Sequence, residues 1–179
     1  NYVDKFILLD DVEYTKRDWR NRNRIKTPQG VKWLTIPVQV KGNFNAPIQT
    51  IQVDSPHWAK KHWQSIKLNY AKAPYFNQYA PQFETLYLNL NDTFLSKINY
   101  TFIKLVNEIL DIKTPISFSS EFNASNEKSE RLLSICEQCN GTHYVSGPNA
   151  KPYLNTDLFK EKKISIEWLN YDNIQSYPQ

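Results

Sequence analysis

Four of the five arginines in this chain, Arg17, Arg20, Arg22 and Arg24, fall within eight residues. They belong to the run Lys16-Arg17-Asp18-Trp19-Arg20-Asn21-Arg22-Asn23-Arg24, and the fifth is Arg131. A guanidinium fork binds phosphate or carboxylate bidentately, and Asn side chains supply both donors and acceptors. If residues 21–24 are extended, Arg22 and Arg24 share one face while Asn21 and Asn23 share the other. One face would clamp an anion and the other would hold the loop. The plainer alternative is an exposed basic edge strand whose charges discourage edge-to-edge aggregation. The scarcity of arginine elsewhere in the chain favours a site.

Other residues carry weaker signals. Asp10 and Asp11 follow a short apolar run and suit Mg²⁺, a ribose hydroxyl or an amine; they serve equally well as salt-bridge partners that fix the nearby arginines. His62 falls between Trp58 and Ile66 at helical spacing. A histidine near neutrality is a natural general base, although spacing alone favours a packed residue with one hydrogen bond. His57 reads as surface. Ser119, Ser120, Ser146 and Gly147 follow predicted strands, where hydroxyls and free N–H groups bind phosphate or an oxyanion. There is no G-x-S-x-G elbow, Walker A loop, G-x-G-x-x-G or H-E-x-x-H motif, so no cofactor is identified. Cys136 and Cys139 form a C-x-x-C followed by His143. A structural zinc site wants four ligands, and a redox pair wants the start of a helix rather than its end. A core cysteine beside Leu132 and Leu133 is the better reading, and no metal is assigned.

The elements that must position these residues follow from pattern. Residues 6–9 form an apolar run that reads as a buried strand. Residues 25–40 read as a hairpin, part of an extended region spanning 21–40, with Thr27-Pro28-Gln29-Gly30 as the turn. Residues 48–53 read as a short strand. Asp54-Ser55-Pro56 starts a helix that carries Trp58 and His62, and residues 80–88 form a second helix. Asp92-Thr93 caps a third, whose stripe of Phe94, Leu95, Ile98, Phe102, Val106, Ile109 and Leu110 faces a core. Beyond it, strands at 116–119, 142–146 and 164–169 alternate with helices at 128–139 and 155–162. That alternation predicts right-handed crossovers and a mainly parallel sheet with flanking helices, a Rossmann-like three-layer α/β fold. Ligands in such folds bind beyond the carboxyl ends of the strands. Residues 10–14, 119–121 and 146–149 all hold that position.

The 179 residues, 40% of them hydrophobic, fit one domain with a sizeable core. The net charge of +4 is too small to demand nucleic acid. No run reaches the roughly 18 apolar residues of a membrane-spanning helix. Two cysteines make no disulfide framework, and no signal peptide opens the chain, so a reducing cytoplasmic setting is expected. With no Met, and with a strand opening almost at once, the sequence reads as an excerpt of a longer protein.

The run from Leu9 to Ile25, followed by Gly30-Val31-Lys32-Trp33-Leu34-Thr35-Ile36-Pro37-Val38, resembles the signature of the WbqC-like family. Later blocks are similar too and fall in the family's order: Trp58 with His62, Tyr70 with Ala73-Pro74-Tyr75-Phe76, Tyr144-Val145-Ser146-Gly147, Tyr153-Leu154 and Tyr177-Pro178-Gln179. The likeness covers residues 1–179 as a single WbqC-like domain. The family's usual opening strand with its Gly-Tyr-Phe-type segment, and its closing Leu/Asp-rich segment, are not here.

The resemblance implies a role in bacterial surface-glycan, or O-antigen, precursor biosynthesis. It points to a transferase that acylates or aminoacylates a nucleotide-linked amino sugar, with the acyl or aminoacyl donor unknown. Lys16, Arg17, Asn21, Arg22, Asn23 and Arg24 would hold the sugar nucleotide, and Trp19 or Trp33 would stack on its base or sugar. His62 would take the proton from the attacking amine, oriented by Asp10 or Asp11. Two other readings stand beside it. Arginines mixed with Trp also suit RNA, above all a tRNA donor, although the modest charge argues against nucleic acid. The third is a non-catalytic binding or scaffold protein of the glycan pathway.

Overall fold

The computed structural model describes residues 2–39, 45–124 and 127–172. Among these residues it is a mixed α/β structure with five α-helices and short sheets. The chain divides into two compact units, one of residues 10–113 and the other of residues 1–9 with 114–178.

In the 10–113 unit, β2 (Arg22–Thr27) and β3 (Gly30–Thr35) form the expected antiparallel hairpin. Gly30 stands at φ 107°, a conformation other residues seldom adopt, and the Thr27 hydroxyl donates to its carbonyl at 2.7 Å. The second strand is expected to reach residue 40 but ends at Thr35. Pro37 has no N–H to give the ladder, and Val38 pairs instead as an isolated bridge with Val53. Residue 40, and 41–44 of the following loop, lie outside the described residues, as does the Tyr177-Pro178-Gln179 block.

Residues 48–53 are not the expected strand. Ile48–Thr50 is a 3-10 turn entered from Pro47, and the backbone after it serves several partners. Leu95 N–H donates to the Ile51 carbonyl and Val53 N–H to the Thr93 carbonyl, both at 2.8 Å. Those bonds also correct the helix start: α3 (Leu95–Ile109) has no capping side chain, because Ile51 satisfies its first N–H. Leu95 and Ile98 of its stripe are fully buried, whereas Val106 and Leu110 run out to the surface.

The helix α1 (His57–Tyr70) begins where Ser55-Pro56 predicts, with His57 N–H donating to the Ser55 hydroxyl. The second helix, α2 (Phe76–Asn89), starts one turn earlier than residue 80 and carries Pro81 within it. Trp63 of α1 is buried between the rings of Phe76 and Tyr87 and donates to Glu84 at 2.8 Å, which locks α1 to α2.

Among the described residues the other unit holds all the parallel pairing. There β1 (Phe6–Leu8) pairs with β4 (Ile116–Phe118), and β5 (His143–Ser146) pairs with β6 (Ser165–Trp168). The β5–β6 pair is joined through α5 (Thr156–Glu161), and α4 (Lys128–Gln138) precedes it. The expected buried strand β1 is half-exposed, since Phe6 keeps 47% of its surface. Its register with β4 is its one ladder among the described residues. A core of Leu133, Leu154, Phe159 and Ile164 fills this unit, with Cys136 packed against it. That packing meets the expectation of a core cysteine. Burial, the nearby Cys139 and Glu137 together push the Cys136 thiol up to about 11.

Ile98→Ala removes a fully buried side chain and is expected to cost about 2–5 kcal/mol of stability. Leu110→Ala, on a residue 61% exposed, should stay within about 0.5 kcal/mol. Urea unfolding of the two variants checks the contrast.

Candidate functional site

Alternation along the hairpin divides the basic run. Ile36 N–H donates to the Asn21 carbonyl at 2.7 Å, so Arg22 with Thr35 and Arg24 with Trp33 are the pairs without mutual hydrogen bonds. Their side chains share one face, and Asn23, Ile25, Lys32 and Leu34 share the other.

The helix α1 covers the second face. Lys32 Nζ donates to the Ser65 hydroxyl at 3.2 Å. At the outer edge of β3, His62 Nε2 donates to the Thr35 carbonyl at 3.0 Å; at the outer edge of β2, Lys26 N–H donates to the Tyr70 hydroxyl at 3.0 Å. Eight residues of helix span about 12 Å, enough to cross both strands on a diagonal. Helix and hairpin are thus pinned at both edges.

The Arg22/Arg24 face is left open. Arg22 Cζ lies 4.2 Å from the ring centre of Trp33, and Arg24 Cζ lies 5.0 Å from Trp19 and 5.6 Å from Trp33. The two indoles sit 5.1 Å apart at 50°. Trp19 is 57% and Trp33 41% exposed, so solvent reaches this cluster. A cation resting on a ring keeps its N–H groups for another partner. Among the described residues no carboxylate pairs with Arg22 or Arg24, and Arg22 Nε is buried with no hydrogen-bond partner. The arrangement can hold an anion joined to a flat ring.

Arg20 differs. It pairs with Asp18 and donates to the Thr15 hydroxyl at 2.5 Å, and that hydroxyl donates to Asp18 at 2.6 Å. The Thr15 hydrogen bond leads in holding the Asp18 carboxyl below its ordinary range. Asn99 of α3 donates to the Arg20 carbonyl at 2.8 Å. Thr15, Asp18, Arg20 and Asn99 therefore fasten the loop that presents Trp19. Asn99, 79 residues away in sequence, gives no sign of this beforehand.

Asn21 is buried and donates to the Ile36 carbonyl at 2.9 Å, so it clamps the root of the hairpin; among the described residues its Oδ1 has no partner. Asn23 is exposed and accepts from Arg24 N–H at 2.8 Å. Lys16 and Arg17 are exposed, Arg17 in the left-handed region at φ 58°. Asp10 is buried, Asp11 half-buried, and Gln49 N–H donates to the Asp10 carbonyl at 2.7 Å. Ser119, Ser120, Ser146 and Gly147 belong to the other unit. Ser119 is fully buried at the start of a 3-10 turn, and the Ser146 hydroxyl bonds to Tyr144.

His62 is half-buried, its ring edge-on to Trp58 at 5.0 Å. Because Nε2 gives its hydrogen to Thr35, a neutral ring carries its lone pair on Nδ1. Burial lowers its pKa from the ordinary 6.5, the Thr35 bond opposes that, and Lys32 adds to it.

The WbqC-like family profile matches residues 1–179. The chain belongs to the WbqC-like protein family. It is also 42% identical over 178 residues to a Mycobacterium tuberculosis (strain ATCC 25618 / H37Rv) protein, "Uncharacterized protein Rv1507c", covering 99% of this chain and 77% of that one. No solved structure matches the chain. The residues that carry the WbqC-like resemblance, 9–25 and 30–38, are those that build the fastened loop and the hairpin. Among the described residues, no helix is long and apolar enough to cross a membrane.

The lowered pKa of His62 has a stability consequence. The unfolded chain takes up the proton near 6.5, whereas the folded ring resists it. The stability this contributes is present above that value and is lost as pH falls from it toward the lower folded value. His62→Gln keeps an N–H donor for Thr35 but does not titrate. Its melting temperature should fall less than the parent's across that window, and equal slopes would contradict the burial argument.

Proposed function

We propose that this chain works in bacterial surface-glycan precursor biosynthesis, as a transferase that acylates or aminoacylates a nucleotide-linked amino sugar held on the Arg22/Arg24 face. The observation that carries the reading is the pair of arginines set over two exposed indoles, without carboxylate partners among the described residues. A sugar nucleotide combines a pyrophosphate with flat rings, and the cluster offers donors for one and aromatic faces for the other. Lys16 and Arg17 extend the positive rim. Membership of the WbqC-like family supports the pathway.

In this reading His62 is the base. Its Nδ1 takes a proton from the amine as the amine nitrogen bonds to the donor's acyl carbon, and returns that proton to the donor group that leaves as its own bond to that carbon breaks; burial keeps the ring neutral and able to do so. Asp10 or Asp11 orients the amine. The reading also takes β1–β4 and β5–β6 as parts of one three-layer, Rossmann-like sheet, residues 1–179 as one domain, and the cytoplasm as the setting.

Calorimetry of the full chain against uridine and thymidine diphosphate amino sugars, the bare nucleotides and single-stranded RNA tests the assignment. Arg22→Ala and Trp33→Ala should each weaken sugar-nucleotide binding about tenfold or more, that is by about 1.4 kcal/mol, with an unchanged far-UV spectrum. Affinity untouched by both substitutions would overturn it. Preferential binding of RNA, weakening steeply with salt, would transfer the same surface to a nucleic acid.

A further inference from the structure

We propose that the outer edge of β6 is a docking site for an extended, acidic peptide segment of a partner protein. Among the described residues β6 pairs with β5 alone. Ser165 N–H donates to the Thr142 carbonyl at 2.9 Å and Leu169 N–H to the Ser146 carbonyl at 2.8 Å. In a parallel ladder alternate residues bond the same neighbour. The peptide groups of Ile166 and Trp168 therefore point to the opposite edge, where no strand among the described residues pairs with them; such a row of N–H and C=O groups is a template for another strand.

Ile166 and Trp168 also line an open groove of about 480 Å³, together with Ser165, Lys163, and Thr156 and Lys160 of α5. Lys163 takes a left-handed φ of 58°, its N–H donating to the Lys160 carbonyl at 3.0 Å, and this turn reverses the chain from α5 into β6. It also brings both lysines to the groove. The intervening Lys162 is paired with Glu137 at 3.0 Å, but Lys160 and Lys163 have no carboxylate partner among the described residues. Asp157 is the one carboxylate on the lining, so the groove is net positive.

That charge selects the occupant. Two copies of this chain joined edge to edge would bring the lysine pairs together, and lysines beside an edge strand are a device against such self-pairing. An acidic strand meets complementary charge and gains main-chain bonds to Ile166 and Trp168. The half-buried Trp168 gives its alternate side chains apolar surface.

A random peptide library displayed on phage and selected on the full chain tests this. Recovered peptides should alternate β-branched residues with Asp or Glu. One of them, synthesised, should slow amide exchange at Ile166 and Trp168. Its affinity should fall about tenfold in the Lys160→Glu/Lys163→Glu double variant. It should fall likewise in Ile166→Pro, which deletes an N–H that β5 does not use. Should Ile166→Pro fail to fold, the lysine variant and the exchange pattern decide. Recovery of no peptides, peptides without acidic enrichment, or affinity unchanged in the lysine variant would overturn the proposal. So would protection of the two amides that grows with protein concentration in the absence of peptide, which would assign the edge to a second copy.

Discussion

The 10–113 unit is organised by the packing of α1 across one face of the β2–β3 hairpin. A strand has a period of two, so covering one face dictates what the other presents. His62 and Tyr70 reach backbone groups on opposite outer edges of the hairpin, and Lys32 reaches Ser65 between them. With both edges held, the pairing cannot slip by one residue without turning Ile25 and Leu34 to solvent and Arg22, Arg24 and Trp33 under the helix. The helix is itself held by Trp58 in the unit's core and by Trp63 between Phe76 and Tyr87. The rigidity of the open face is therefore borrowed from an aromatic core on the far side of α1.

This arrangement separates arginines that look alike in the sequence. Arg20 meets a carboxylate and a hydroxyl before β2 begins, so its charge is spent on closing a loop. Arg22 and Arg24 lie two residues apart on the strand and meet indole rings instead. Ring contact holds a guanidinium in place without neutralising it, which keeps like charges close together and available. Asn21 performs a different task from its neighbours, bonding Ile36 at the root of the hairpin, so that one short run supplies clamp, fastening and exposed cations in turn.

The two units carry unlike surfaces. The hairpin presents cations over aromatic rings, where flat anionic groups are favoured. The edge of β6 presents main-chain groups flanked by lysines, where an extended chain is favoured. Cys136 takes part in neither surface: its side chain packs against the core of its unit, and burial pushes its thiol pKa up.

Much of this was legible beforehand, and the reasons differ by element. The hairpin turn follows from Pro28 and Gly30, the start of α1 from Ser55-Pro56, and the alternation of Arg22 with Asn23 from the geometry of any extended strand. Apolar patterning also located α4, α5 and the strands of the parallel pairs. The errors fall where backbone groups find distant partners. Residues 48–53 share their hydrogen bonds with 93–95 and with Gln39, so neither the strand nor the Asp92 cap formed. The sequence by itself determined which side chains share a face and which family the chain resembles, since both follow from local order along the chain. Only the tertiary structure decided which face is covered, which arginine is neutralised, and that His62 gives its Nε2 hydrogen to Thr35. Those outcomes depend on contacts between residues far apart in the chain, which no local pattern encodes.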